Sequence, residues 1–219
     1  MARDYPQRGF AVPGDGTEIV LVRHGASAPA LAEQPFELRD GHGDPPLAPE
    51  GVRQAEVVAA RLADSDAARL FVTGLRRTAQ TAAPLAALTG LEPVEVWDLR
   101  EIHLGEWEGG AWRIRLAEGD PLARRVIAEE RWDLIPGAED PDALARRTRA
   151  GIESIVAALG PGATAVAFVH GGVIGELCRQ ATGSRPFAFI HSDNGSITRL
   201  VVLGDGRWLL RSFNDTAHL

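Results

Sequence analysis

Two histidines occupy positions where a side chain is available for chemistry. His24 follows the aliphatic run 19–22 and precedes a glycine, and His170 follows a second unbroken apolar run at 163–169. Runs of this kind predict buried strands, and the carboxyl ends of parallel strands border the ligand crevice of an α/β sheet. We therefore expect both imidazoles at one edge of the sheet, where each can act as nucleophile, acid or base.

Arginines accompany both of these features. Arg23 stands directly before His24, and Arg76 and Arg77 follow a third apolar run at 70–72, where a helix is predicted to open. The free amides of a helix N-terminus attract anions, and the guanidinium fork suits phosphate. Two histidines, two or more arginines and a helix start are what a phosphate or another tetrahedral oxyanion requires.

Other chemistries fit the sequence less well. Ser27 lies beside His24, but residues 24–28 lack the Gly-x-Ser-x-Gly pattern of a nucleophile elbow. The six histidines show no HExxH spacing, and all 23 basic residues are arginine, which excludes Schiff-base and Walker lysines. Glu139 is expected to be a solvated loop carboxylate. Loop or packing roles are expected for three further histidines, His42, His103 and His191.

The elements that must position these residues alternate between strands and helices. Four apolar runs predict strands at 19–22, 70–72, 94–97 and 163–169. Helical spacing of apolar residues predicts helices over 49–63, 76–88 (disturbed at Pro84), from Asp140 or Asp142 to 159, and 173–181. A hairpin is expected at 197–213. This order predicts an α/β fold of three α/β/α layers around a largely parallel central sheet.

Two segments interrupt the alternation. Residues 26–48 contain many prolines and glycines without a period, and they predict a long loop. Residues 98–139 differ in composition from the rest of the chain, with three tryptophans, mixed charges and glycines that interrupt any period. We interpret 98–139 as a lid or insertion over one end of the sheet, within a single domain of residues 1–219.

Composition limits the class of protein. The 219 residues are 45% hydrophobic and 24% charged, as in globular proteins, and the net charge of −7 argues against nucleic-acid or anionic-membrane partners. No apolar run is long enough to span a bilayer and no signal-peptide core precedes residue 17, so a cytoplasmic location is expected. The single cysteine, Cys178, excludes an intrachain disulfide and is expected to be a core thiol. A homodimer is possible, but no pattern identifies its interface.

Several motifs in the predicted order resemble those of branch 1 of the histidine phosphatase superfamily, the group that includes cofactor-dependent phosphoglycerate mutases. The resemblance runs from residue 18 to about 200. It rests on Leu-Val-Arg-His-Gly-Ala-Ser at 21–27, Asp-Pro-Pro-Leu at 44–47, Thr-Gly-Leu-Arg-Arg-Thr-Ala-Gln-Thr-Ala at 73–82, Leu-Arg-Glu-Ile-His-Leu-Gly-Glu-Trp-Glu-Gly at 99–109 and Phe-Val-His-Gly-Gly at 168–172.

The resemblance implies a phosphomonoesterase that needs neither metal nor cofactor and acts on a small phosphorylated metabolite. His24 would attack phosphorus and form a phosphohistidine that water hydrolyses, and Glu101 would serve as proton donor and then as base. A neighbouring arginine favours the neutral imidazole that this attack needs. Contacts with the substrate are then expected from Arg23, Arg77, His170, Gly171 and Ser27.

The sequence departs from the family pattern at two positions in the loop after His24. Ala26 replaces the usual Glu or Gln, and Ala30 stands where many members carry an Asn that helps hold the phosphate. Arg39 or His42 could supply the missing donor. Two alternative functions remain open: a phosphoglycerate mutase-type phosphotransferase, and a catalytically silent phosphate-binding protein.

Overall fold

The computed structural model describes residues 4–219. Its strands are β1 (Thr17–Arg23), β2 (Leu38–Arg39), β3 (His42–Gly43), β4 (Ala67–Val72), β5 (Val94–Glu95), β6 (Thr164–Val169), β7 (Ile197–Val202) and β8 (Trp208–Asp215). Its helices are α1 (Pro49–Leu62), α2 (Arg76–Thr89), α3 (Ala111–Glu118), α4 (Pro121–Glu129), α5 (Pro141–Leu159) and α6 (Gly171–Thr182).

Six of these strands form the central sheet, in the order β5-β4-β6-β1-β7-β8. Strands β5, β4, β6 and β1 are mutually parallel, whereas β7 runs antiparallel to both of its neighbours. Strands β2 and β3 make a separate short hairpin within the 26–48 segment, which was predicted to be loop throughout. The predicted α/β fold with a largely parallel sheet is confirmed.

Helices cover both faces of the sheet. On one face Ile19 and Leu21 of β1 join a core with residues of α5 and α6, and on the other Val20 and Val22 pack with α1 and α2. A strand buried on both faces reads as an unbroken apolar run, which explains why β1 and β6 are so clear in the sequence. Cys178 is a free, fully buried thiol in the first of these cores, as predicted.

The structure settles the details of three predicted elements. Pro84 lies inside α2 without ending it, because Ala82 and Leu85 on either side are held in the core. Strand β5 ends at Glu95, and the chain continues into a 3-10 turn at Trp97–Leu99. Helix α5 begins after Asp140, whose carboxylate accepts a hydrogen bond from the amide of Ala143 at 2.9 Å.

Residues 98–139, here called the cap, contain α3, α4 and short 3-10 turns, and they have their own apolar cluster. Trp107, Val126 and Ile135 are buried in it together with Phe187 from the segment after α6. Among residues 4–219, no helix combines the length and apolar character needed to cross a bilayer.

Candidate active site

A cavity of about 440 Å³ opens between the cap and the carboxyl edge of the sheet. His24 reaches it from the end of β1, Gly171 from the start of α6 and Arg77 from the first turn of α2. Strands β1 and β6 pair in register up to Arg23 opposite Val169, so the residues that follow each strand are brought together. This is the juxtaposition that the two strand ends predicted.

Backbone contacts fix the orientation of His24, which is only 4% exposed. Its Nδ1 lies 2.7 Å from the carbonyl oxygen of Gly25, which can only accept a hydrogen bond. The Nδ1 atom therefore carries the proton, and the lone pair is on Nε2. Gly25 itself must lack a side chain, because a Cβ there would lie 2.4 Å from the carbonyl oxygen of Gly51. The Asn194 side-chain amide donates to the carbonyl of His24 at 2.9 Å and completes the support.

The surroundings of His24 keep its imidazole neutral. Burial lowers the pKa well below its ordinary value of 6.5, and the positive charges of Arg77, Arg23 and Arg113 lower it further. The hydrogen bond to Gly25 opposes this shift but does not reverse it. A neutral imidazole with a free Nε2 is a competent nucleophile near neutral pH.

His170 lies behind His24 and does not itself form the cavity wall. It is fully buried, and the two rings meet edge to face with centroids 5.2 Å apart. Its Nε2 is 2.8 Å from the hydroxyl of Thr73 in the β4–α2 turn, and its Nδ1 has no hydrogen-bond partner. Burial, followed by the charge of Arg77, lowers its pKa well below the ordinary range.

Two of the arginines that line the cavity leave part of their donor capacity unused. Arg77 donates to the Gly43 carbonyl at 2.9 Å and Arg23 donates to the carbonyl of Ser192, while the Nε atoms of both are buried without a partner. Burial lowers the pKa of Arg77 to about 10, so it stays protonated at neutral pH. Its neighbour Arg76 is directed away, with its guanidinium 3.3 Å from the carboxylate of Glu37.

Glu101 lines the cavity at the base of the cap. Its Oε1 accepts from the amide of Ile102 at 3.0 Å, and its Oε2 lies 3.4 Å from the amide of Gly172. Arg147 of α5 holds this segment in place by donating to the Glu101 carbonyl at 3.1 Å, and its guanidinium pairs with Glu139 at 2.6 Å.

The expectation that Glu139 is a solvated carboxylate is wrong. Its side chain is only 11% exposed, because it pairs with Arg147 and also accepts from the amide of His103 at 3.2 Å. Burial by itself raises the pKa of Glu139, but the hydrogen bond and charge of Arg147 outweigh it, so the net pKa is lowered. The Glu139 carboxylate therefore stabilises the segment that carries Glu101, and it does not line the cavity.

Ser27 and the substitutes suggested for the donor missing at Ala30 lie in different places. The hydroxyl of Ser27 does not line the cavity and instead accepts from Arg113 at 2.7 Å. Arg39 is turned outward and donates to Glu95 at 3.3 Å, so it does not reach the cavity. His42, expected to be a loop or packing residue, is 5% exposed and does lie on the cavity wall.

Arg113 is the functional candidate that sequence reasoning missed. It projects from α3 of the cap into the cavity, donates to the Ala28 carbonyl at 3.1 Å and stacks over Phe36, 5.5 Å from the ring centroid. No motif surrounds it. The one available signal was a cation in a segment already predicted to cover the site. Within residues 4–219, no three His, Cys, Asp or Glu side chains converge as metal ligands.

Comparison with known proteins agrees with this geometry. The family model of the histidine phosphatase superfamily (branch 1) matches residues 19–216. A probable phosphoglycerate mutase GpmB from Yersinia enterocolitica is 31% identical over 92% of this chain and 94% of its own. A metal-independent phosphoserine phosphatase from Arabidopsis thaliana is 32% identical over 95% of this chain and 85% of its own.

Solved structures show the same relationship. The mycobacterial glucosyl-3-phosphoglycerate phosphatase Rv2419c superposes with a TM-score of 0.75 and 26% identity, over 92% of this chain and 100% of its own. The same mycobacterial protein has also been solved with inorganic phosphate. The paired strand-end histidines, the order of the motifs and these matches agree, and the chain belongs to the histidine phosphatase superfamily, branch 1.

Proposed function

We propose that this histidine-type phosphatase hydrolyses small phosphomonoesters through a phosphohistidine at His24, without a metal ion. The observation that carries the proposal is the neutral imidazole of His24, whose free Nε2 lies in a cavity lined by Arg23 and Arg77. The Arabidopsis relative named a metal-independent phosphoserine phosphatase supports the reaction class.

In the first step, the Nε2 lone pair of His24 attacks phosphorus while the bond from phosphorus to the ester oxygen breaks. Arg23 and Arg77, which line the cavity, stabilise the charge on the non-bridging oxygens. Glu101 gives its proton to the departing oxygen, so the leaving group departs as a neutral alcohol.

In the second step, water attacks the phosphohistidine and Glu101 takes its proton. The N–P bond breaks, inorganic phosphate leaves, and His24 returns to its neutral form. His170 assists from behind His24, where its ring packs edge to face against that of the nucleophile. Thr73 holds the ring in this position through the 2.8 Å hydrogen bond between its hydroxyl and Nε2.

The test is hydrolysis of p-nitrophenyl phosphate by wild type and His24→Ala, each with and without EDTA. We expect EDTA-insensitive turnover that falls below about one-thousandth in the variant, the scale on which a lost nucleophile acts. His218→Ala is the matched control, because His218 bonds to the Gly195 carbonyl outside the cavity. Turnover that survives in His24→Ala, or stops with EDTA, contradicts the mechanism.

A phosphoglycerate mutase-type transfer is the second candidate, because the Yersinia relative is named a probable phosphoglycerate mutase. Both reactions share the phosphohistidine, and they differ in whether water or a second substrate receives the phosphoryl group. Interconversion of 2- and 3-phosphoglycerate that depends on a bisphosphoglycerate primer, with slow phosphate release, would favour the mutase. A phosphate-binding protein without activity would turn over none of these compounds.

A further inference from the structure

The side of the cavity formed by the cap is an aromatic wall. Trp107, Trp112 and Trp132 all line the cavity, and their rings continue to Phe187. The centroid distances between successive rings in this series are 5.9, 5.2 and 4.8 Å, so each ring packs against the next. Trp107 is buried, whereas Trp112 and Trp132 are half-buried and keep ring surface available to a ligand.

The positive charges that line the cavity are concentrated around His24. Arg23, Arg77 and Arg113 are the arginines of the wall, and the charge of each lowers the pKa of His24. Arg23 and Arg77 are therefore placed for the phosphoryl group. Arg113, which belongs to the cap, already donates to the Ala28 carbonyl and to the Ser27 hydroxyl.

Apart from these arginines, the charged residues that line the cavity are carboxylates. Both carboxylate oxygens of Glu108 accept hydrogen bonds from backbone amides, from Leu104 at 2.8 Å and from Gly43 at 2.7 Å. Asp193 lies at the exposed mouth, where it accepts from the side chain of Asn214 at 2.8 Å. A carboxylate on the leaving group, as in phosphoserine or a phosphoglycerate, meets like charge here, and the described lining residues include no arginine or lysine beyond the three around His24.

We propose that the half of the cavity lined by the cap tryptophans is a subsite for an uncharged leaving group with a flat apolar ring. The natural substrates are then phosphomonoesters of ring-bearing neutral alcohols, in preference to small phosphorylated acids. This inference rests on the proposed phosphatase function, whose phosphoryl end it leaves unchanged. A ring against Trp112 and Trp132 gains burial and stacking that a short chain does not.

Three substrates with alcohol leaving groups test the subsite: benzyl phosphate, ethyl phosphate and O-phospho-L-serine. All three release an aliphatic alcohol, so the low pKa of a phenol leaving group does not bias the comparison. We expect kcat/KM for benzyl phosphate to exceed that for each of the others by about tenfold or more, the factor that about 1.4 kcal/mol of ring contact supplies. Equal values, or a preference for phosphoserine, overturn the proposal.

Substituting the tryptophans of the aromatic wall tests whether they cause the preference for benzyl phosphate. We expect Trp112→Ala and Trp132→Ala each to lower kcat/KM for benzyl phosphate by about fivefold or more, within the range of one aromatic contact, and to lower that for ethyl phosphate by a smaller factor. Trp112→Phe should retain most of the preference. Phe10→Ala, an exposed aromatic residue outside the cavity, is the matched control. Unchanged discrimination in both alanine variants contradicts the assignment.

Binding of phosphonates separates this inference from the proposed function. Benzylphosphonate and methylphosphonate cannot be hydrolysed, and calorimetric titration measures their affinities whether or not the protein turns over phosphate esters. Tighter binding of benzylphosphonate by about tenfold or more supports the subsite even if p-nitrophenyl phosphate is not hydrolysed. Equal affinities with normal p-nitrophenyl phosphate turnover overturn the subsite and leave the phosphatase proposal intact.

Discussion

At the scale of single residues, the chemical state of His24 is set by its neighbours. The Gly25 carbonyl holds the proton on Nδ1, while burial and three arginines keep the ring neutral. His170 shares this environment and is oriented by Thr73. The same arginines that would bind the phosphoryl group thus also keep the attacking nitrogen free of a proton.

The pH dependence of kcat/KM follows from these charges. Because the pKa of His24 is lowered, we expect activity to persist well below pH 6.5 and to fall only where the ring becomes protonated. Arg77→Met removes a cation, so the pKa of His24 rises and the acid limb moves to higher pH, on top of a lower rate. Arg76→Met, which alters the outward-facing neighbour, should leave the limb in place. The kcat/KM profile of p-nitrophenyl phosphate hydrolysis measures both, and an unmoved limb in Arg77→Met contradicts the prediction.

At the scale of elements, α5 positions the segment that carries the proposed acid. Arg147 reaches across from this helix and donates to the carbonyls of Asp98, Arg100 and Glu101 at 2.8, 2.7 and 3.1 Å. Its partner Glu139 binds the backbone of the next residues along the segment, at His103. The cap is therefore joined to the three-layer body by a buried ion pair and not only by apolar packing.

Arg147→Met leaves the carboxylate of Glu139 buried without its partner. We expect the free energy of unfolding to fall by about 3 to 5 kcal/mol, measured by urea denaturation, because both side chains are nearly buried. Arg125→Met is the control: its pair with Glu129 is exposed, and such a pair contributes less than about 1 kcal/mol. Glu139→Gln in the Arg147→Met background should recover part of the loss. Similar losses in the two single variants would contradict the prediction.

At the scale of the whole molecule, the fold buries two imidazoles next to a cluster of arginines. Both His24 and His170 have pKa values lowered well below 6.5 in the folded protein, whereas the unfolded chain takes up protons as the pH falls through that value. The unfolded state then binds more protons than the folded state, so acid favours unfolding.

The stability of the protein should therefore fall below about pH 6.5. Each histidine contributes up to about 1.4 kcal/mol per pH unit, until the pH reaches its folded-state pKa. Urea denaturation at several values between pH 7.5 and 5 measures the slope. His24→Asn and His170→Asn should each reduce it, whatever their effect on stability at neutral pH. A wild-type slope that neither substitution changes would contradict this origin.

The fold was largely predictable because its determinants are local. The runs that became β1, β4 and β6 are buried on both faces, and helical periodicity marked α1, α2, α5 and α6. The β2–β3 hairpin escaped prediction, because its strands are two residues long and carry no period. Within the candidate site, His24 and Arg23 could be named from a strand end, and Arg77 and Glu101 from the motif resemblance.

The amino-acid sequence by itself determined the family, the layered α/β architecture and the residue types available at the edge of the sheet. Only the tertiary structure decided what long-range contacts create. These are the arrival of Arg113 from the cap, the burial of Glu139 against Arg147 and the aromatic wall of the cavity. The physical reason is distance along the chain: local periodicity specifies an element, whereas a guanidinium meets a carbonyl many residues away only after the elements have packed.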